Sequence, residues 1–182
     1  MKTFITLAIV SLSLPCLAQR PLSPTQPQVA KEYAPPANEN TELTRKFEDH
    51  KGKLQYPANG VITGHFGMQP APLRIVTMID NVGVDITTAP NASVRAVFEG
   101  KVTSVFMSGN TQVVFVQHGA YFTVYSGLAS VGVGIGQFVV AGQELGLVAK
   151  DPDNKKPSFN FQVWRSKGEG AAKLNPEEWL KG

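Results

Sequence analysis

From Leu54 onward, apolar and polar residues alternate with period two, and glycine-containing turns interrupt the alternation at roughly ten-residue spacing. The stretch SVRAVFEGKVTSVF (93–106) reads as two β-rich runs hinged at Glu99-Gly100. TQVVFVQHG (111–119) and YFTVYSGL (121–128) follow, joined tightly at Gly119-Ala120. QFVVAGQELGLV (137–148) turns at Ala141-Gly142, and SFNFQVW (158–164) reads as a last strand. In that strand the alternation sets Ser158, Asn160 and Gln162 on one face and Phe159, Phe161 and Val163 on the other. No amphipathic helix of useful length is expected here. Short strands joined by tight turns predict a mainly β domain, an antiparallel sandwich or open barrel, over 54–181.

The pattern before Leu54 is different. NTELTRKFEDHK (40–51) has Leu43 and Phe47 on one helical face at i, i+4. Asn40 or Thr41 is the expected N-cap, and Gly52 the stop, which predicts a short helix over 40–52. A segment of that length is marginal alone, so it is expected to dock on the domain. Residues 19–39 hold five prolines and little apolar periodicity, the composition of an extended linker. The first eighteen residues read as a signal peptide: Lys2, an apolar run from Phe4 to Leu14, then small residues before a cut after Ala18. The run is too short to span a bilayer as a mature helix. Cys16 lacks the usual residues of a lipidation site, because Ser13 and Pro15 stand before it. Cleavage removes that only cysteine, so the mature domain has no disulfide and depends on its core. The expected location is the periplasm or the extracellular space.

Charge narrows the function classes. The net charge is +3 in 182 residues, Lys and Arg are scattered, and after Arg45-Lys46 the only notable basic pair is Lys155-Lys156. That excludes a nucleic-acid binder as the working reading.

The candidate chemistry sits in MIDNVGVDITTAP (78–90), where Asp85 stands four residues after Asn81 with Gly83 between them. A histidine at 81 would complete a His-x-Gly-x-Asp metal motif. The three histidines, His50, His65 and His118, have no ligand spacing. His50 is expected to be solvated and His118 to be a turn or surface residue. His65, in TGHFG, is a candidate for a groove rim.

Taken in order, YPANGVITGHFG, GVDI, VRAVFEGKVTSV, VVFVQHGAYFTVYSGL, VGIGQFVVAGQELG, FNFQVWR and LNPEEWL resemble the LytM-type (lysostaphin-like) zinc peptidase domain over about residues 54–181. Within that family the likeness is nearest to murein hydrolase activators of the EnvC type. The resemblance implies a duplicated-hybrid-motif β domain with a groove over its sheet, working at the bacterial cell wall. It also implies zinc ligands and bases at positions where this chain departs. Asn81 occupies the first ligand position and Asn160 the last, while Asp85 keeps the ligand between them. Gly127 and Ser158 stand where the family has its two base histidines.

A catalytic zinc needs about three ligands from His, Cys or carboxylate, and one carboxylate is left. An amide is a poor ligand for this ion, and neither Gly127 nor Ser158 can serve as a base near neutrality. The resemblance and the substitutions together imply a degenerate, non-catalytic domain that takes no cofactor. Its expected partners are a cell-wall amidase, which it activates, and peptidoglycan. The alternatives are a zinc metalloendopeptidase cutting peptidoglycan cross-bridges and a passive peptidoglycan-binding module. The expected binding groove consists of Asn81, Asp85, Gly127, Ser158, Asn160 and Gln162, with His65 at its rim. EnvC-type activators carry a long coiled coil ahead of this domain; only the short helix stands there in this sequence, which leaves coupling to a division machinery unsupported.

Overall fold

The computed structural model describes residues 37–70, 78–150, 156–167 and 170–182, and the fold is built from these. They fall in one compact unit, Pro35–Gly182. The expected signal peptide at 1–18, and the expected linker up to residue 36, lie outside the described residues.

Helix α1 spans Ala37–Asp49. It starts a turn earlier than its polar cap signals suggest, so Asn40 and Thr41 lie inside the helix and neither caps it. The helix opens on alanine, the strongest helix former, so the first turn needs no cap from residue 40. The stop is nearer the expectation: the chain leaves the helix through a turn in which Gly52 has φ +74°. Docking is confirmed. Phe47 is fully buried, with ring centroids 4.8 Å from His118, 4.9 Å from Trp179, 5.1 Å from Tyr121 and 5.5 Å from Phe98. Thr44 fastens the same face, its Oγ1 accepting from the Ala120 amide at 2.8 Å.

The strands are β1 (Gly60–Gly64), β2 (Gly67–Pro70), β3 (Met78–Asn81), β4 (Val84–Thr88), β5 (Ser93–Arg95), β6 (Gly100–Ser108), β7 (Thr111–His118), β8 (Tyr121–Val131), β9 (Phe138–Val139), β10 (Glu144–Val148), β11 (Ser158–Lys167) and β12 (Gly170–Leu174). One antiparallel sheet runs β1-β4-β11-β8-β7-β6-β9; β12 pairs with β11, and β10 pairs with both β8 and β5. β2 and β3 form a separate ribbon. The result is the expected open, mainly β architecture with one short N-terminal helix. The tight turns at 109–110 and 119–120 have glycines at positive φ, which make the β6-β7 and β7-β8 hairpins possible. β12 and the ribbon carry too little alternation to be predicted from sequence.

Burial follows the pleat. Along β11, Phe159, Phe161 and Val163 are buried while Ser158, Asn160, Gln162 and Trp164 are exposed or half-buried, as the alternation predicts. The buried face packs with Val84, Ile86, Val114, Val116 and Tyr125 in a single core that also holds Phe47, Leu54, Trp179 and Leu180. The sequence expectation for His118 is overturned here. It is completely buried, with Nδ1 2.6 Å from the Glu99 carbonyl oxygen and Nε2 2.8 Å from Thr123 Oγ1. Its position at a strand end suggested surface, but helix α1 covers that end of the sheet. His50 is exposed as expected, its Nδ1 2.8 Å from the Lys46 carbonyl oxygen.

Candidate functional site

The other face of the sheet is open, and strand register arranges it in rows. Residues paired across a ladder share a face. One row reads Phe106, Val113, Ser126, Asn160, Asp85, Gly64 across six strands. The next reads Ser104, Phe115, Val124, Gln162. A third reads Gln117, Phe122, Trp164, Lys173. The β4 and β11 part of the face is polar, and the part toward β6 is aromatic.

In the polar part Asn160 lies directly opposite Asp85 in the β4-β11 ladder. Asn160 Nδ2 donates to Asp85 Oδ1 at 2.8 Å and to Asn81 Oδ1 at 3.1 Å. Asn81 Nδ2 donates to the other carboxylate oxygen, Asp85 Oδ2, at 3.1 Å. A carboxylate only accepts, so both amides must turn their nitrogens toward it. The chain continues outward: Gln162 Nε2 donates to Asn160 Oδ1 at 2.8 Å, and Trp164 Nε1 donates to Gln162 Oε1 at 2.9 Å. Five side chains from β3, β4 and β11 thus form one continuous hydrogen-bonded ladder, all half-buried.

Local backbone sets this up. Asn81 ends β3, and its Oδ1 also accepts from the Gly83 amide at 3.2 Å, closing the turn into β4. At Gly83 a Cβ would run into the Phe161 carbonyl oxygen and the Asn160 and Gln162 side chains, so only glycine lets β4 approach β11 here. Gly127 is a bulge residue. Ser126 and Leu128 pair with the successive residues Val113 and Gln112, which leaves Gly127 without a partner, at φ +96°.

The structure brings together Asn81, Asp85, Asn160 and Gln162 from the sequence-derived set. Ser158 and Gly127 lie near each other further along β11 but outside the ladder: a Cβ on Gly127 would stand 3.3 Å from the Ser158 carbonyl oxygen. Ser158 is exposed and pairs with Thr87. His65 follows β1, exposed, with Nδ1 3.1 Å from both Glu177 carboxylate oxygens, and its contacts are with that acid rather than with the ladder. Sequence reasoning missed Trp164, although extending the β11 alternation by one step would have put it on this face.

The site's chemistry is amide hydrogen bonding around a single carboxylate. Asp85 is the only acid in the ladder, and both its oxygens are engaged. Among the described residues, no group of three or more His, Cys, Asp or Glu side chains is placed to hold a metal ion. No described helix is long and apolar enough to cross a membrane.

The model of peptidase family M23 matches residues 80–176. An uncharacterized protein of Neisseria meningitidis serogroup B is 34% identical over 137 residues, 74% of this chain; the match covers 21% of that protein's length. Among solved structures, lysostaphin in solution is 26% identical with TM-score 0.54, over 70% of this chain and 52% of that one. A zinc-containing peptidase from Vibrio cholerae is 22% identical with TM-score 0.55, over 70% of this chain and 40% of that one.

Proposed function

The chain belongs to peptidase family M23, and from that premise we propose that it is a non-catalytic member, nearest in kind to the EnvC-type activators. In this reading it binds a peptidoglycan amidase in the cell envelope and raises its activity. The observation that carries the reading is the ladder. Both oxygens of Asp85 accept from the Asn81 and Asn160 side-chain amides, where a zinc peptidase would present ligands to a metal. The donor set does not fit catalytic zinc: it offers one carboxylate and two amides, and the amides turn N–H groups, which cannot ligate, toward the shared centre. Nor does the ladder contain a histidine to act as base. A half-buried surface of amides held in place by the ladder, with one amide hydrogen of Asn81 and one of Gln162 outside its bonds, suits recognition of a partner by shape and hydrogen bonds. Family membership supports the cell wall as the place of action, and the partner enzyme is inferred by analogy.

Two measurements test the reading. Metal analysis of the purified protein should find no stoichiometric zinc, and the protein alone should leave purified sacculi intact. In a dye-release assay it should stimulate an amidase of the same organism. Zinc near one per chain with chelator-sensitive cleavage would replace this reading with a metalloendopeptidase. Sedimentation with sacculi, without stimulation of any amidase, would replace it with a passive wall-binding module.

A further inference from the structure

The aromatic half of the open sheet face is not accounted for by the fold. Trp164, Phe115, Phe122 and Phe106 belong neither to the core cluster nor to the hydrophobics packed against it. The Trp164 and Phe115 rings meet at 90° with centroids 5.5 Å apart, and Phe106 adjoins Phe115 at 5.9 Å. Phe122 is the register partner of Trp164 on β8. Val113 and Val124, the register partners of Phe106 and Phe115, are almost wholly buried although they too lie outside the core cluster. Phe106 remains 49% exposed. The rings and the valines paired with them form an apolar ledge, with a right-angled corner between Trp164 and Phe115.

The ledge is also oriented. The indole N–H is held by Gln162 at 2.9 Å, so the polar edge of Trp164 is tied into the amide ladder. Charge is nearly absent across the rows. Asp85 is covered by two amides; among the described rows Lys101 stands opposite Gln117, and Lys173 stands opposite Trp164 with its Nζ over the indole, 5.9 Å from the ring centroid. Gln162 and Asn81 each have one amide hydrogen outside the ladder bonds.

We propose that this ledge and the adjoining ladder bind a neutral saccharide chain of N-acetylated amino sugars. The inference rests on the reading that the protein works at peptidoglycan and names the glycan strand as what this face takes. A pyranose ring offers a C–H face to aromatic rings and a rim of hydroxyl and acetamido groups to planar amides, and both surfaces stand side by side here. An acidic peptide would call for several cations along the face, whereas the described rows carry Lys101 and Lys173, one at each side, and Lys173 is placed over the Trp164 ring. An added β-strand would need a free sheet edge rather than a face.

The chain has two tryptophans, and Trp179 is buried at 4% exposure, so Trp164 reports on the ledge. The full chain is titrated with tetra-N-acetylchitotetraose while tryptophan emission is followed, with calorimetry in parallel. The expected result is a saturable change in emission. Phe106→Ala, at an exposed position, should weaken binding by about tenfold without moving the melting temperature. Trp164→Phe should abolish the optical response and weaken the calorimetric one. Failure to bind chitotetraose at millimolar concentration overturns the proposal, as does equal binding by the parent and Phe106→Ala. Binding of a sugar-free stem peptide in place of chitotetraose overturns it in favour of a peptide face. A protein that stimulates an amidase but ignores the saccharide loses this inference and keeps the proposed function.

Discussion

Asn160 and Asp85 face each other across the β4-β11 ladder, with Asn160 Nδ2 donating to Asp85 Oδ1 at 2.8 Å. The same nitrogen also donates to Asn81. Removing it should therefore cost more than an isolated surface hydrogen bond. Asn160→Ala is expected to destabilise by about 1–3 kcal/mol, because it leaves a half-buried carboxylate short of a donor. Asp85→Asn/Asn160→Ala should recover part of that loss. Urea melts at neutral pH measure both, and a single variant within 0.3 kcal/mol of the parent, on the order of measurement error, would mean that the ladder does not stabilise the fold.

The backbone frame around Asp85 makes a gain-of-metal prediction. Asn81 and Asn160 both touch the carboxylate, so Asn81→His/Asn160→His places two imidazoles beside it and creates a three-ligand set. Zinc should raise the melting temperature of this double variant, and a chelator should reverse the rise. The parent protein should show neither effect. No shift in the double variant would show that the strand spacing does not suit a metal.

His118 predicts an acid weakness. Burial lowers its pKa from 6.5 to about 4, against the opposing effect of the Glu99 carbonyl. The buried ring is therefore neutral when folded, while the unfolded chain binds a proton below about 6.5. Stability is full above that pH, falls as pH drops toward 4, and levels off below it. The total loss is about 3 kcal/mol. Denaturant melts between pH 7.5 and 4 should show this slope, and His118→Gln, less stable at neutral pH, should show a shallower one.

Gly127 should not accept a side chain without cost. Its φ of +96° is a backbone conformation that L-residues avoid, so Gly127→Ala is expected to lose about 1–2 kcal/mol in a thermal or urea melt. A histidine there should carry the same penalty. Alanine at no cost would show that the bulge relaxes.

The core makes the largest prediction. Phe161 is completely buried on β11, 5.4 Å from the Tyr125 ring. Phe161→Ala should cost on the order of 3–5 kcal/mol, which far-UV circular dichroism during a urea melt would detect. A loss under about 1 kcal/mol would place Phe161 outside the core.

Much of this was legible in one dimension. Period-two alternation is a local property of a pleated strand, so the division of β11 into Phe159, Phe161 and Val163 against Ser158, Asn160 and Gln162 followed from residue order alone. The helix around Phe47 and its need to dock were equally local. The spacing of Asn81 and Asp85 marked the site because both residues flank one turn.

What residue order could not decide was contact across strands. Only register sets Asn160 opposite Asp85 and joins two asparagines distant in sequence into one hydrogen-bonded ladder. Only the placement of α1 over the sheet buries His118, and only the bulge gives Gly127 its positive φ. Pairing energies depend on which residues meet over long sequence separation, so the alternation that assigns a face leaves open what shares it. Ser158 and Asn160 share a face of β11 by that rule, yet the ladder includes Asn160 and leaves out Ser158.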